Sequence, residues 1–141
     1  MKKAGNICDF AQERDDAIMA AYRQELIQSR ATSLDIIAVG VAARPCRRFW
    51  VSEERAVSVV SAMLRGKDVT SSMHPSKKRM FEEIYRRTMV LRARRPHASL
   101  ISVIPEVIYS EAPEFYLSPR YIRDRIIITR NITEKRCRRI S

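Results

Sequence analysis

Arg48-Phe49-Trp50-Val51-Ser52 returns in kind as Glu114-Phe115-Tyr116-Leu117-Ser118, displaced by 66 positions. Two aromatics, an aliphatic and a serine in fixed order are more than hydrophobic patterning supplies by accident, so the phrase marks an internal repeat. The match continues downstream, where Val60 meets Ile126, and upstream through Leu34/Leu100, Ile37/Val103 and Val41/Val107. Further upstream the displacement is 63: Ile18, Tyr22, Arg23 and Leu26 answer to Phe81, Tyr85, Arg86 and Met89. Three additional residues around Arg95-Pro96-His97 account for the change. The repeat predicts two tandem units, 11–66 and 77–132, with an N-terminal arm (1–10), a linker (67–76) and a basic tail (133–141).

Each unit reads as three helices. Residues 12–30 place Ile18, Tyr22, Leu26 and Ile27 at spacings of three to four, the stripe of a helix with one buried face. Thr32 or Ser33 offers an N-cap for Leu34 to Ala43, and Pro45 ends that element. Ser52 caps a third helix whose first turn carries Glu53 and Glu54, where the helix dipole favours negative charge, and Gly66 stops it. The second unit follows suit with Phe81, Ile84, Tyr85, Met89 and Leu91 over about 77–94 and a cap at Ser76. Pro105 sits awkwardly in its second helix, which is expected to begin late, near Ile104, or to bend. Ser118-Pro119 is a sharp start signal, capping serine then proline at the first helical position, for a helix running to about Arg130.

With only 3 Gly and 6 Pro in 141 residues, hairpins have little to build on, so the fold class expected is all-α. Units of about 55 residues are marginal alone, and the halves are expected to pack together. The longest apolar run, Ile36 to Ala43, is far short of a membrane span, so no membrane association is expected. The start lacks an apolar stretch behind its lysines and does not read as a secretory signal. Cys8, Cys46 and Cys137 are isolated and odd in number, which suggests neither disulfides nor zinc and fits a reducing cytoplasm.

The formal charge of +11 points to a polyanionic partner. Residues 1–70 carry 11 basic and 9 acidic side chains, whereas 71–141 carry 16 and 7, so the second unit holds most of the field. Helix, short helix, connector and capped helix resemble a helix-turn-helix, although the connector from Ala43 to Val51 exceeds the usual turn. Phe49-Trp50-Val51 is expected to fill the core rather than to stack on bases. The first unit's third helix opens Glu53-Glu54-Arg55, which repels phosphate; the second opens Pro119-Arg120-Tyr121 and continues with Arg123, Arg125 and Arg130. Groove and backbone contacts are therefore expected from Arg120, Arg123 and Arg130, with further positive charge from Arg47 and Arg48 in the first connector. Lys135, Arg136, Arg138 and Arg139 form a short unstructured tail suited to sequence-independent phosphate attraction. Arg92, Arg94 and Arg95 are explained by the dipole of the helix they end.

Nothing points to catalysis, a cofactor or a metal. His74 and His97 stand beside prolines in presumed linkers, away from any ligand-spaced partner, and no phosphate-cradling glycine loop or nucleophile motif is present.

The phrases Arg48-Phe49-Trp50-Val51-Ser52-Glu53-Glu54-Arg55-Ala56 and Ala112-Pro113-Glu114-Phe115-Tyr116-Leu117-Ser118 resemble small basic proteins encoded by gut Bacteroides and by phages or mobile elements of that group. The resemblance implies a bacterial host cytoplasm or a virion and carries over no catalytic residue. Together these features lead to the expectation of a DNA-binding protein, regulatory or packaging in role. The competing expectation is a non-enzymatic interaction or virion assembly module that grips a protein partner or a second copy of itself. RNA stands as a third possibility, since nothing in the residues separates the two nucleic acids.

Overall fold

The computed structural model describes residues 10–140, so the expected N-terminal arm, Cys8 included, lies outside the described residues apart from Phe10. Among the described residues there are six helices: α1 Ala11–Gln28, α2 Leu34–Ala42, α3 Glu53–Leu64, α4 Pro75–Arg94, α5 Leu100–Ile108 and α6 Pro119–Ile140. The all-α class expected from the sequence is observed; among the described residues the one β-type pairing is an isolated antiparallel bridge, Cys46 to Ala112.

Local chemistry explains where the helices start. Ser52 Oγ accepts from Arg55 N at 3.1 Å, and Ser118 Oγ accepts from Tyr121 N at 3.1 Å, each satisfying a donor that the first turn would leave orphaned. Gly66, at φ 78°, takes the left-handed conformation that closes α3. Helix α4 starts two residues before the expected point. Pro75 opens it, and the cap is His74, whose Nδ1 accepts from Ser76 N at 3.1 Å; Ser76 itself is buried inside the helix. Helix α5 starts at Leu100 rather than near Ile104, with Ser99 Oγ accepting from Ser102 N at 3.3 Å. It tolerates Pro105 because the carbonyl that loses its donor belongs to Ile101, which is 74% exposed and open to water. The expected break at 132/133 is absent: α6 continues through the basic segment to Ile140 as one helix.

The two expected tandem units do not form as separate three-helix bodies. Helix α3 packs on α4 and α5, and α6 packs on α1 and α2, so each half contributes its third helix to the first two helices of the other. The connectors that carry α3 and α6 away from their own halves cross at the bridge, where Cys46 N donates to Ala112 O at 3.0 Å and Ala112 N donates to Cys46 O at 2.8 Å. Flanking bonds repeat the exchange: Phe49 N donates to Ile108 O at 2.8 Å, and Phe115 N donates to Ala42 O at 3.1 Å. Every one of these pairs swaps residues related by the displacement of 66. The aromatic phrase obeys the same rule, with Phe49 stacked on Tyr116 at 5.9 Å and Trp50 on Phe115 at 6.4 Å between centroids. Tyr116 holds this place at a φ of 57°, a left-handed conformation unusual for an aromatic residue.

One core results. Phe49, Phe115, Phe81, Ile18, Ile84, Val60, Ile122 and Ile126 are fully buried, drawn from both halves. Full burial of a large apolar side chain stabilises by about 1.5–3 kcal/mol, and each aromatic pair adds roughly 1 kcal/mol beyond its area. The stripes read from α1 and α4 are only partly buried: Leu26, Ile27 and Met89 are 49%, 77% and 38% exposed, while Tyr22, Tyr85 and Leu91 pack against the core.

Because each third helix completes the other half, residues 1–70 and 71–141 made as separate chains should each give a weak, non-cooperative thermal transition in circular dichroism. Mixed in equal amounts, they should form a 1:1 complex with a sharp transition. Two independently cooperative fragments would contradict the interlocked packing. Ile126→Ala in the full chain should cost about 2–5 kcal/mol by the usual penalty for an emptied core site.

Candidate nucleic-acid interface

The structure sorts the nine expected anion-contacting residues into those held by the fold and those facing solvent. Arg48 is buried and belongs to the fold. Its Nε donates to Phe49 O and its Nη2 to Val51 O, both at 2.9 Å, and its guanidinium lies over the rings of Phe10, Trp50 and Tyr109 at 4.7–5.5 Å. Glu13 completes the environment, 3.7 Å from Arg48 Nη1, and also pairs with Arg47. The expectation that Arg48 contacts nucleic acid is thus corrected: a connector with no strand or helix of its own uses this guanidinium to satisfy two buried carbonyls. Arg47 is exposed, but its charge is matched by Glu13.

On α6 the same division recurs along one helix. Arg123 Nε pairs with Asp35 of α2 at 2.9 Å. Arg125, outside the nine, makes a two-pronged pair with Asp15 of α1 at 3.1 and 2.7 Å, and this bond raises the Arg125 pKa further above its ordinary value. Arg130 is exposed and reaches the Tyr22 hydroxyl at 3.5 Å. Arg120 is exposed at the helix start, and Lys135, Arg136, Arg138 and Arg139 are exposed at its end. At 3.6 residues per turn, Arg120, Lys135 and Arg138 fall within about 60° of one another on the side opposite Ile122 and Ile126. Of the nine, Arg120 and the four terminal cations therefore share an exposed helix, with Asp124 and Glu134 on the same side, while Arg47 and Arg48 share Glu13 and Arg123 pairs with Asp35.

Similar matching occupies the second half's other arginines. Arg79 pairs with Glu114 at 2.9 Å, Arg95 pairs with Glu106, and Glu83 receives Arg86 at 2.8 Å and Arg87 at 2.7 Å. The Arg86 hydrogen bond, seconded by Arg87, holds the Glu83 carboxyl below the usual carboxylate range against the opposing effect of its burial. The excess charge of residues 71–141 is thus partly neutralised.

Burial pushes the Cys46 thiol up to about 11, and its Sγ donates to Arg48 O at 3.2 Å, leaving it protonated and unreactive near neutral pH. Among the described residues no three His, Cys, Asp or Glu side chains gather as a metal site. Among the described residues no helix is long and apolar enough to cross a membrane. A surface groove of about 570 Å³ between α1 and the first connector mixes Glu13 and Asp16 with Arg44 and Arg47.

One cationic face escaped the sequence reading. Arg14, Arg55 and Lys77 lie on three different helices, α1, α3 and α4, and come together in two adjoining hollows where α3, α4 and α6 begin. The displacement of 63 that relates Arg14 to Lys77 was available as a signal, but their convergence depends on the exchange of third helices. No family model, curated protein or solved structure matches this chain.

Arg48→Ala should lower stability by about 1–3 kcal/mol, measured by urea denaturation, because the Val51 carbonyl loses its donor, whereas Phe49 O keeps Val51 N at 3.0 Å and Glu13 keeps Arg47. Arg120→Ala should stay within about 0.5 kcal/mol of the parent, as expected for a solvated side chain. Equal losses would reverse the assignment of roles.

Proposed function

We propose that this protein binds nucleic acid, duplex DNA foremost, through the outer face and cationic end of α6. The observation that carries the reading is the uninterrupted helix from Pro119 to Ile140, exposed throughout Arg130–Arg139, with Lys135, Arg136, Arg138 and Arg139 opposed in that stretch by Glu134 alone. A helix is the element that a DNA major groove about 12 Å wide admits, and residues 131–139 span roughly 13 Å at 1.5 Å per residue. Arg120 extends the positive face to the helix start. Arg48 drops out of this interface because it is buried, while Arg47 shares Glu13 with it and Arg123 is paired with the solvated Asp35.

We also infer that the two halves arose by internal duplication, a reading supported by the exchange of bonds between residues 66 apart. The helix-turn-helix comparison is set aside, since the connector between α2 and α3 crosses to the other half instead of turning. A role in regulation or packaging of a phage or mobile element, in the host cytoplasm or the virion, follows from the sequence resemblance and forms part of the proposal.

A second reading, self-association or protein docking, is favoured by one observation. Six of the ten exposed large apolar side chains, Leu26, Ile27, Ile36, Val39, Ile128 and Ile132, belong to the mutually packed helices α1, α2 and α6.

Fluorescence anisotropy on a short DNA duplex across a KCl series should give a log K against log salt slope of about −3 to −4, the release expected from four terminal cations. Replacing Lys135, Arg136, Arg138 and Arg139 together with Ala should abolish most of that slope. A flat salt response would overturn the reading. Sedimentation that shows self-association retained by the fourfold variant would favour the second.

A further inference from the structure

The geometry points to a phosphate-binding site on the face where α3, α4 and α6 begin, built on Arg14, Lys77 and Arg55 and distinct from the cationic end of α6. Two hollows of about 290 and 360 Å³ meet there and share Lys77 as a common wall. The first also contains Arg14, the His74 cap of α4 and the Ser118 cap of α6; the second contains Arg55 and the Ser52 cap of α3. They are counterparts of each other, because Ser52 and Ser118 are related by 66 and Arg14 and Lys77 by 63. Among the described residues, no carboxylate lines either hollow, in a protein that matches most of its other clustered cations with acids.

The donors at this face are available. Arg14 is fixed between the rings of Phe10 and Tyr121, at 5.5 and 5.3 Å, and donates through Nη2 to the Tyr121 hydroxyl at 2.7 Å. Its Nε is buried and bonds to no protein group. Lys77 is exposed, and Arg55 rests over the Phe81 ring at 5.8 Å. His74 Nδ1 accepts from Ser76 N, so the neutral ring carries its proton on Nε2, as a further donor. The Ser52 and Ser118 oxygens accept from their own helices, which leaves each hydroxyl hydrogen free to donate. The helix dipoles add to this field without founding it.

Many convergent donors of fixed position suit a phosphate, which accepts several charge-assisted hydrogen bonds at once. The phosphate could belong to a nucleic-acid backbone or to a small phosphorylated molecule. The site stands without the nucleic-acid reading above.

The test uses the full chain and inorganic phosphate, followed by amide NMR against potassium chloride at matched ionic strength. The amides of His74, Ser76, Lys77, Ser118, Arg120 and Tyr121 should shift saturably with phosphate alone. Lys77→Ala, a solvent-exposed change that leaves the core intact, should weaken the phosphate response about tenfold, on the scale of one lost charge-assisted bond, and Lys77→Arg should restore most of it. Arg14→Gln should weaken it at least as much. Identical shifts with chloride, or an unchanged response in Lys77→Ala, would overturn the proposal, even if DNA binding persisted through α6. Given phosphate binding, a duplex DNA affinity lowered by Lys77→Ala identifies the backbone as the source. An unaltered affinity identifies a small phosphorylated ligand.

Discussion

The reciprocal pair of hydrogen bonds between Cys46 and Ala112 is the constraint on which the rest of the molecule depends. Two such bonds contribute only about 1 kcal/mol each in net terms. Their importance is positional. Buried backbone groups in irregular segments need partners, and several of those that each connector uses lie in the other half of the chain. Once the connectors cross, α3 and α6 are delivered to the opposite halves, and the four-ring cluster of Phe49, Trp50, Phe115 and Tyr116 closes around the crossing. Phe10 and Arg48 extend the cluster outward, the ring tilted against Trp50 at 6.1 Å and the guanidinium over both.

The same crossing decides the electrostatics. It sets α6, with its arginines, against α1 and α2, which carry much of the first half's acid. Asp15 therefore meets Arg125 and Asp35 meets Arg123, although more than 80 residues separate each pair in the chain. The pairs differ in kind. The side chains of Asp15 and Arg125 are 15% and 28% exposed, so their two-pronged bond forms in a partly dehydrated setting, whereas Asp35 at 75% is solvated and its pair contributes little. Positive charge without such a match collects at the end of α6 and at the face shared by Arg14, Arg55 and Lys77.

Much of the local structure was legible. The serine caps at 52 and 118 act as read, and the aromatic phrase fills the core. His74 was misread as a linker residue because an imidazole acting as a cap carries no sequence signature as plain as serine's. The persistence of α6 was missed because its last turns bury nothing, and a helix lacking an apolar stripe gives no periodic signal. Arg48 was misassigned for a related reason: an arginine that satisfies backbone carbonyls looks, in sequence, like one that meets phosphate.

By itself the sequence determined the helical class, the starts of most helices and the correspondence between residues 66 apart, since caps, prolines and apolar spacing act over a few neighbouring positions. Which half each third helix serves was decided only in three dimensions. So was the division of arginines between carboxylates and solvent. Both follow from long-range packing, in which two similar surfaces compete for the same helix and the path of the connector between them determines the outcome.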